Sequence, residues 1–134
     1  MKGKRYLILT ILLVALFLAA MMPVAAEEPP LLTYVGSVQV TYKAARQYVL
    51  TGKVSIVDEL GEPIGRALVI AKWTLPDGTT KTQIALTSPT GLAKFSLEVP
   101  RTTSGDVTLC VVDALKLHTD FVPGANDCGS VTLP

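Results

Sequence analysis

Residues 92–99 read Leu-Ala-Lys-Phe-Ser-Leu-Glu-Val, and this stretch decides the fold. From Ala93 to Val99 apolar residues occupy every second position, and Lys94, Ser96 and Glu98 fill the positions between them. Side chains alternate between the two faces of a β-strand, whereas the apolar stripe of a helix repeats every 3.6 residues. The stretch therefore predicts a strand with one buried face and one exposed face.

The same period of two extends in both directions from this strand. Six further segments show this alternation, around residues 38–42, 50–56, 66–75, 79–87, 107–112 and 129–133. Turn sequences such as Pro76-Asp77-Gly78 and Ser88-Pro89-Thr90-Gly91 separate them, and no amphipathic helical window occurs between them. This pattern predicts an all-β fold, an immunoglobulin-like Greek-key β-sandwich of about seven strands, with a small barrel as the alternative.

The most apolar segment, residues 66–75, is expected to be a central strand. Its two faces are Ala67, Val69, Ala71 and Trp73 on one side and Leu68, Ile70 and Lys72 on the other. Because both sets are largely apolar, we expect partial cover on both faces. We also expect Trp73 to be a core residue that packs near a disulfide, and Ile84 and Leu86 to be the inward pair of the next strand.

The first 26 residues are predicted to be a signal peptide that forms a helix. Lys2, Lys4 and Arg5 precede an uncharged stretch at residues 6–22, and small residues precede a cleavage site after Ala26. An uncleaved signal anchor is the alternative, and it is the one route by which we expect membrane attachment. We expect export through the Sec pathway, a flexible lead at residues 27–33 and one domain at residues 34–134.

The charge of the chain limits the classes of partner that we expect, and its expected export to an oxidising compartment bears on its two cysteines. Beyond Ala26 the chain keeps 9 of its 12 Lys and Arg residues against 11 acidic ones, without a basic cluster. This composition argues against nucleic acid as a partner. Cys110 and Cys128 are the only cysteines, and an exported chain matures where thiols oxidise, so we expect a disulfide between them.

No residue pattern indicates catalysis or a cofactor. His118 is the only histidine, and neither Ser104 nor Ser130 has the sequence context of an activated nucleophile. All three methionines precede Ala26, so a copper site of the cupredoxin kind lacks its ligands. We therefore expect a chain that is not an enzyme, with His118 on a loop surface.

Acidic residues cluster in the long connection expected between residues 113 and 126. Asp113, Asp120, Asn126 and Asp127 offer the oxygen ligands that calcium prefers, but their spacing fits no dedicated calcium loop. Turn formation is the favoured interpretation, and it applies equally to Asp58, Glu59 and Glu62.

Three motifs carry a resemblance to known domains. They are Gly-Lys-Val-Ser-Ile-Val-Asp at 52–58, Gly-Glu-Pro-Ile-Gly-Arg-Ala-Leu-Val at 61–69 and Thr-Ser-Pro-Thr-Gly-Leu-Ala-Lys-Phe at 87–95. Over residues 49–112 the chain resembles bacterial immunoglobulin-like domains of the invasin and intimin type, and it overlaps carboxypeptidase regulatory-like modules. The resemblance implies a sandwich fold and supplies no catalytic residues.

The functional expectation is a secreted, non-catalytic immunoglobulin-like module with a structural or protein-binding role at or outside the cell envelope. Its expected partner is another extracellular or envelope protein. A carbohydrate-binding or calcium-dependent accessory module is the alternative. Residues Leu31, Leu32, Tyr34 and Val35 either begin the first strand of their own sheet or pair with a neighbouring molecule as a donated strand.

Overall fold

Two four-stranded sheets pack face to face in the computed structural model, which describes residues 29–134. The strands are β1 (Leu31–Ala44), β2 (Tyr48–Asp58), β3 (Leu68–Thr74), β4 (Thr80–Leu86), β5 (Leu92–Val99), β6 (Gly105–Leu115), β7 (Thr119–Phe121) and β8 (Cys128–Leu133). Sheet A has the order β5-β2-β1-β7, and sheet B has the order β4-β3-β6-β8. The predicted immunoglobulin-like sandwich is confirmed.

The structure tests only some of the predictions made for the N-terminal residues. The predicted signal helix, residues 1–26, lies outside the described residues. Strand β1 begins at Leu31, so residues 31–33 of the expected flexible lead belong to sheet A, where they pair with β7. The segment that could have been donated to a neighbour pairs within its own chain, with β2 and β7. Within residues 29–134, no helix is both long and apolar enough to cross a membrane.

The core lies between the two sheets and is built from their inner faces. On β5 the four apolar residues of the alternating stripe are buried and the residues between them are exposed, as the sequence predicts. On β3 the side chains of Val69, Ala71 and Trp73 are fully buried, and Leu50, Val54 and Ile56 of β2 face them. Trp73 is the largest fully buried side chain of the described residues.

Two glycines allow the sheets to approach each other. Gly52 of β2 faces the core, and a Cβ there would collide with the side chain of Leu109 and touch the Trp73 ring. Gly129 of β8 lies against β1, and a Cβ there would collide with the backbone of Val38. Close backbone approach is a role that only glycine fills without strain.

Strand β4 shows the opposite orientation to the one expected. Its register with β3 pairs Ala85 with Val69 and Gln83 with Ala71, so these two side chains point inward. Ile84 and Leu86 point outward and are 61% and 59% exposed, so their predicted inward orientation is wrong. Shifting a strand by one residue exchanges its two faces. Here the polar side chain that points inward forms hydrogen bonds.

The inward polar side chain is that of Gln83, which links the two sheets through hydrogen bonds. Its Oε1 accepts a hydrogen bond from Trp73 Nε1 at 2.9 Å, and its Nε2 donates to the carbonyl of Ser96 on β5 at 2.8 Å. The indole N–H of a buried tryptophan needs such a partner. The amide of Gln83 therefore satisfies the core and ties the edge of sheet B to the edge of sheet A.

Replacing Gln83 by leucine is expected to lower the free energy of unfolding by about 1–3 kcal/mol, because the indole N–H then stays buried without an acceptor. Urea denaturation followed by circular dichroism measures the change. Gln39→Leu is the matched control, since Gln39 is exposed on the outer face of β1 and its replacement should change stability by less than about 0.5 kcal/mol. Equal stabilities for the two variants would contradict this role of Gln83.

Candidate functional site

The outer face of sheet B carries exposed aliphatic side chains on three adjacent strands. Leu86, Leu68 and Leu115 lie side by side in one row across β4, β3 and β6. Ile84 and Ile70 lie side by side in the next row. We call this surface the apolar outer patch; its members are Leu68, Ile70, Ile84, Leu86, Val112 and Leu115.

A β-bulge in β6 adds Val112 to this patch. Val111 pairs with Ala71 and Asp113 pairs with Ile70, so Val112 is the extra residue between them. Val111 is buried on the inner face, whereas Val112 is 55% exposed. Bulges redirect side chains and are common beside functional surfaces. The irregularity in β6 thus places one more apolar side chain on the outside.

The exposure of the patch distinguishes it from scattered surface leucines. Leu68 is 37% exposed, Leu115 is 48% exposed, and Ile84 and Leu86 are more exposed still. An antiparallel sheet with one solvated face normally alternates apolar and polar residues, so a contiguous aliphatic surface on the solvated side is a candidate interaction site. Strand β3 is a central strand of sheet B, as predicted, and the predicted partial cover of its outer face holds for the half-buried Ile70 but not for Leu68 and Lys72, which are exposed.

The outer face of sheet A has the opposite character. Its side chains include Gln39, Thr41, Lys53, Lys94 and Glu98. Lys53 and Lys94 are direct cross-strand partners, which places two positive charges side by side. The contrast between the two faces argues that the aliphatic residues of sheet B are a specific feature of that sheet.

Two charged residues of opposite sign adjoin the apolar outer patch. Lys72 follows Ile70 on the outer face of β3 and pairs with Cys110. Asp113 lies opposite Ile70 on β6 and accepts a hydrogen bond from the backbone N–H of Ala114 at 2.8 Å. The patch therefore combines an apolar centre with one positive and one negative group.

The disulfide between Cys110 and Cys128 is present and lies beside the patch. It joins the neighbouring strands β6 and β8 of sheet B, where the two cysteines are register partners. Cys110 pairs with Lys72 on the outer face, whereas Trp73 points into the core. Trp73 is thus a core residue as predicted, but the expected packing of its ring near the disulfide is wrong, because the two lie on opposite faces of the sheet.

His118 lies in the turn between β6 and β7, on an exposed surface as expected. Its backbone has a positive φ of 60°, and its carbonyl accepts a hydrogen bond from Leu31 N at 3.0 Å. Ser104 precedes β6 at the other end of the sandwich, and Ser130 lies in β8. The fold therefore does not bring His118 together with either serine.

The expected long irregular connection is shorter than predicted. Strand β6 continues through Asp113 to Leu115, and Asp120 lies in β7. Asp127 accepts a hydrogen bond from Gly124 N at 2.9 Å, and Asp58 accepts from the backbone N–H groups of Leu60 and Glu62 at 2.9 Å. These carboxylates shape turns, and residues 29–134 contain no group of three or more His, Cys, Asp or Glu side chains placed to hold a metal ion.

An open groove lies at the end of the sandwich where the described chain begins. Its lining includes Pro29, Pro63, Ile64, Leu117 and His118. Lys116 crosses this region and donates to the carbonyl of Gly65 at 2.7 Å. Asp58 and Thr119 also line the groove, but Asp58 accepts hydrogen bonds from the backbone of its own turn and Thr119 Oγ1 donates to the carbonyl of Lys116. Neither side chain is hydrogen-bonded to His118, so the apolar outer patch is the stronger candidate for a functional surface.

The sequence alone missed the patch because it depends on the register of three strands. The signal that could have found it was the apolar character of both faces of β3, combined with the pairing of Leu68 with Leu86 and of Ile70 with Ile84. The first part was visible in the sequence, and the second was not.

A family model for the macroglobulin domain MG4 matches residues 42–115, just over half of the chain. No curated protein and no solved structure matches the chain significantly. The immunoglobulin-like part of the predicted resemblance is confirmed, because MG4 domains have this type of fold, and the invasin and intimin type is not confirmed. The chain belongs to the macroglobulin domain MG4 family.

Proposed function

We propose that this chain is an exported, non-catalytic module that binds another extracellular or envelope protein through the apolar outer patch. The observation that carries the proposal is the contiguous aliphatic surface on three strands of sheet B. A soluble domain rarely leaves such a surface in water unless a partner covers it. Adhesion, or an accessory role beside an envelope protein, is the form of binding that we propose.

Two further findings support the proposal. Immunoglobulin-like macroglobulin domains are typically non-catalytic. The Cys110–Cys128 disulfide and the macroglobulin type of domain are consistent with an extracellular location. Disulfides persist in oxidising compartments and are rare in the cytosol.

The test compares three versions of the full chain, each expressed from Met1, recovered after export and immobilised. They are the wild type, Ile84→Lys in the apolar outer patch and Thr41→Lys on the polar face of sheet A. Envelope and culture-supernatant fractions of the producing cells are passed over each, and retained proteins are quantified by mass spectrometry. We expect a protein that the wild type and Thr41→Lys retain equally and that Ile84→Lys retains at least about tenfold less, because a lysine must lose its hydration to enter an apolar interface.

Both substitutions replace exposed side chains, so both variants should fold with wild-type thermal melting curves. The proposal fails if all three versions retain the same proteins to the same extent. It also fails if Thr41→Lys causes the loss and Ile84→Lys does not.

A further inference from the structure

Strand β4 carries part of the apolar outer patch and also forms an open edge of sheet B. It is the first strand in the order of that sheet and pairs only with β3, so one of its two sides has no neighbouring strand. We propose that the partner protein binds by adding an extended segment of its own chain to this edge, antiparallel to β4. This inference rests on the proposed function, namely that this face binds a protein.

The hydrogen bonds at the two ends of β4 show which of its backbone groups face the open side. The carbonyl of Thr79 accepts a hydrogen bond from the chain just after β3 at 2.9 Å, and the N–H of Thr87 donates to the chain just before β3 at 2.8 Å. The register between these two ends is regular. Because successive residues of a strand direct their N–H and C=O groups to opposite sides, Thr82, Ile84 and Leu86 direct theirs away from β3.

These three residues offer a second chain both hydrogen-bonding groups and apolar contacts. Within residues 29–134, no turn, loop or side-chain hydrogen bond uses their N–H or C=O groups. The side chains of Ile84 and Leu86 belong to the apolar outer patch, and the charged Lys81 lies before this stretch. Unpaired edge groups are a template for another strand, and strand addition is a recurring mode of peptide recognition.

The other sheet edges of the described chain are covered or short. Strand β5 ends sheet A on the same side of the sandwich, but the carbonyl of Ser96 already accepts a hydrogen bond from Gln83 Nε2 at 2.8 Å. Strand β7 has three residues, and β8 lies against β1, where Gly129 meets the backbone of Val38. Strand β4 is therefore the edge that combines unpaired backbone groups with exposed aliphatic side chains.

The geometry also defines the chemistry of the added segment. In an antiparallel ladder, two residues that exchange both hydrogen bonds have their side chains on the same face. Partner residues that bond to Ile84 and Leu86 therefore have their side chains on the outer face, where apolar groups extend the patch. The residues between them point toward the side where Gln83 bridges to β5, which suits polar side chains. The expected ligand is an extended segment of alternating apolar and polar residues, in which the apolar residues bond to β4.

A hexapeptide of alternating threonine and valine, with blocked ends, is the probe, and it is made in two isomeric forms. In the first form the threonine nitrogens are methylated, so only the valines donate hydrogen bonds; in the second form the valine nitrogens are methylated. Titration calorimetry with the exported full chain uses each peptide at up to about 1 mM. We expect the first form to bind with a Kd of about 100 μM, and the second form to bind at least about fivefold more weakly because it places threonine beside the patch.

Thr82→Pro blocks the edge and leaves the apolar outer patch unchanged. The N–H of Thr82 faces the open side, so proline there removes no hydrogen bond to β3, while its ring obstructs an added strand. We expect at least about tenfold weaker binding of the first peptide. Lys94→Pro is the matched control, because the N–H of Lys94 faces the open side of the other edge strand, β5, and this variant should bind as the wild type does.

Amide hydrogen exchange of the wild type adds a measurement that does not depend on the folding of a variant. The first peptide should slow exchange at Thr82, Ile84 and Leu86 at least about tenfold, because their N–H groups become hydrogen-bonded. The amides of Gln83 and Ala85 already bond to β3 and should change little. A ligand that lies flat on the patch covers side chains and leaves the three edge amides exchanging as before.

Three results overturn the inference: no binding of the first peptide at about 1 mM, equal binding of the two isomers, or binding that neither Thr82→Pro weakens nor slower edge exchange accompanies. Failure of the proposed function gives different results. An envelope protein that Ile84→Lys loses and Thr82→Pro retains leaves the patch as a protein-binding surface and removes the added strand. Peptide binding with the expected exchange pattern, in a chain that retains no envelope protein, keeps the edge site and removes the proposed function.

Discussion

Replacing Trp73 by alanine is expected to lower the free energy of unfolding by about 3–5 kcal/mol, the range for removing a buried aromatic side chain. The ring is fully buried and lies beside Gly52 in the core. Its removal eliminates the packing contacts of the indole. It also leaves Oε1 of Gln83 without the N–H that donates to it. Because the total stability of a domain of this size is about 5–15 kcal/mol, the variant should be partly unfolded at 37 °C.

Urea denaturation followed by far-ultraviolet circular dichroism measures this change, since Trp73 is the only tryptophan and its fluorescence disappears with it. Thr82→Ala on the outer face of β4 is the control and should shift the unfolding free energy by less than about 0.5 kcal/mol. Trp73→Phe should fall between the two, because it keeps an aromatic ring and loses the hydrogen bond to Gln83. A Trp73→Ala variant within 1 kcal/mol of the wild type, measured to about that precision, would show that the tryptophan is not central to the core.

The core residues were predictable because the burial of one strand face shows directly in the alternation of apolar and polar residues. On β5 every apolar residue of the alternating stripe is buried, and on β3 the predicted face of Val69, Ala71 and Trp73 is buried as well. A strand that buries one face must place apolar residues at every second position. The same rule indicated an all-β sandwich without any knowledge of which strands are neighbours.

The orientation of β4 was not predictable in this way. Its apolar residues Ile84 and Leu86 share one face, and hydrophobicity alone assigns that face to the core. The structure instead turns Gln83 inward, where it serves Trp73 ten residues earlier in the chain and Ser96 on the opposite sheet. Such a hydrogen bond depends on how strands pair, and pairing over long separations is not encoded in the pattern of any one segment.

The apolar outer patch could not be predicted from the sequence for the same reason. Leu68, Leu86 and Leu115 are separated by 18 residues or more, and they become neighbours only through the registers of β3 with β4 and with β6. The bulge that exposes Val112 is equally invisible in the sequence. The sequence predicted a disulfide from the cysteine count, but the position of that bond on the outer face followed from the strand order.

Removing the disulfide is the second large change, and we expect the double variant Cys110→Ala and Cys128→Ala to lose about 3 kcal/mol of unfolding free energy. The two cysteines are 18 residues apart. Closing a loop of this length restricts the unfolded chain, and the entropic model assigns about 3 kcal/mol to that restriction. Reduced wild-type protein should show a similar loss, which separates the effect of the bond from that of the substitutions.

The position of the bond predicts which part of the native state depends on it. Strand β8 is the outermost strand of sheet B, with six residues, and it pairs only with β6. If the disulfide acts on the unfolded chain alone, then hydrogen exchange of the β8 amides should accelerate by the same factor as exchange of the β3 amides. We expect a larger acceleration in β8, because an edge strand held by one ladder opens locally once its covalent link is gone. Leu133, which β8 places in the core, limits this opening to the end of the strand near Cys128. Equal acceleration in both strands would show that the bond stabilises the fold without fastening its edge, and unchanged denaturation midpoints after reduction would remove the stabilising role altogether.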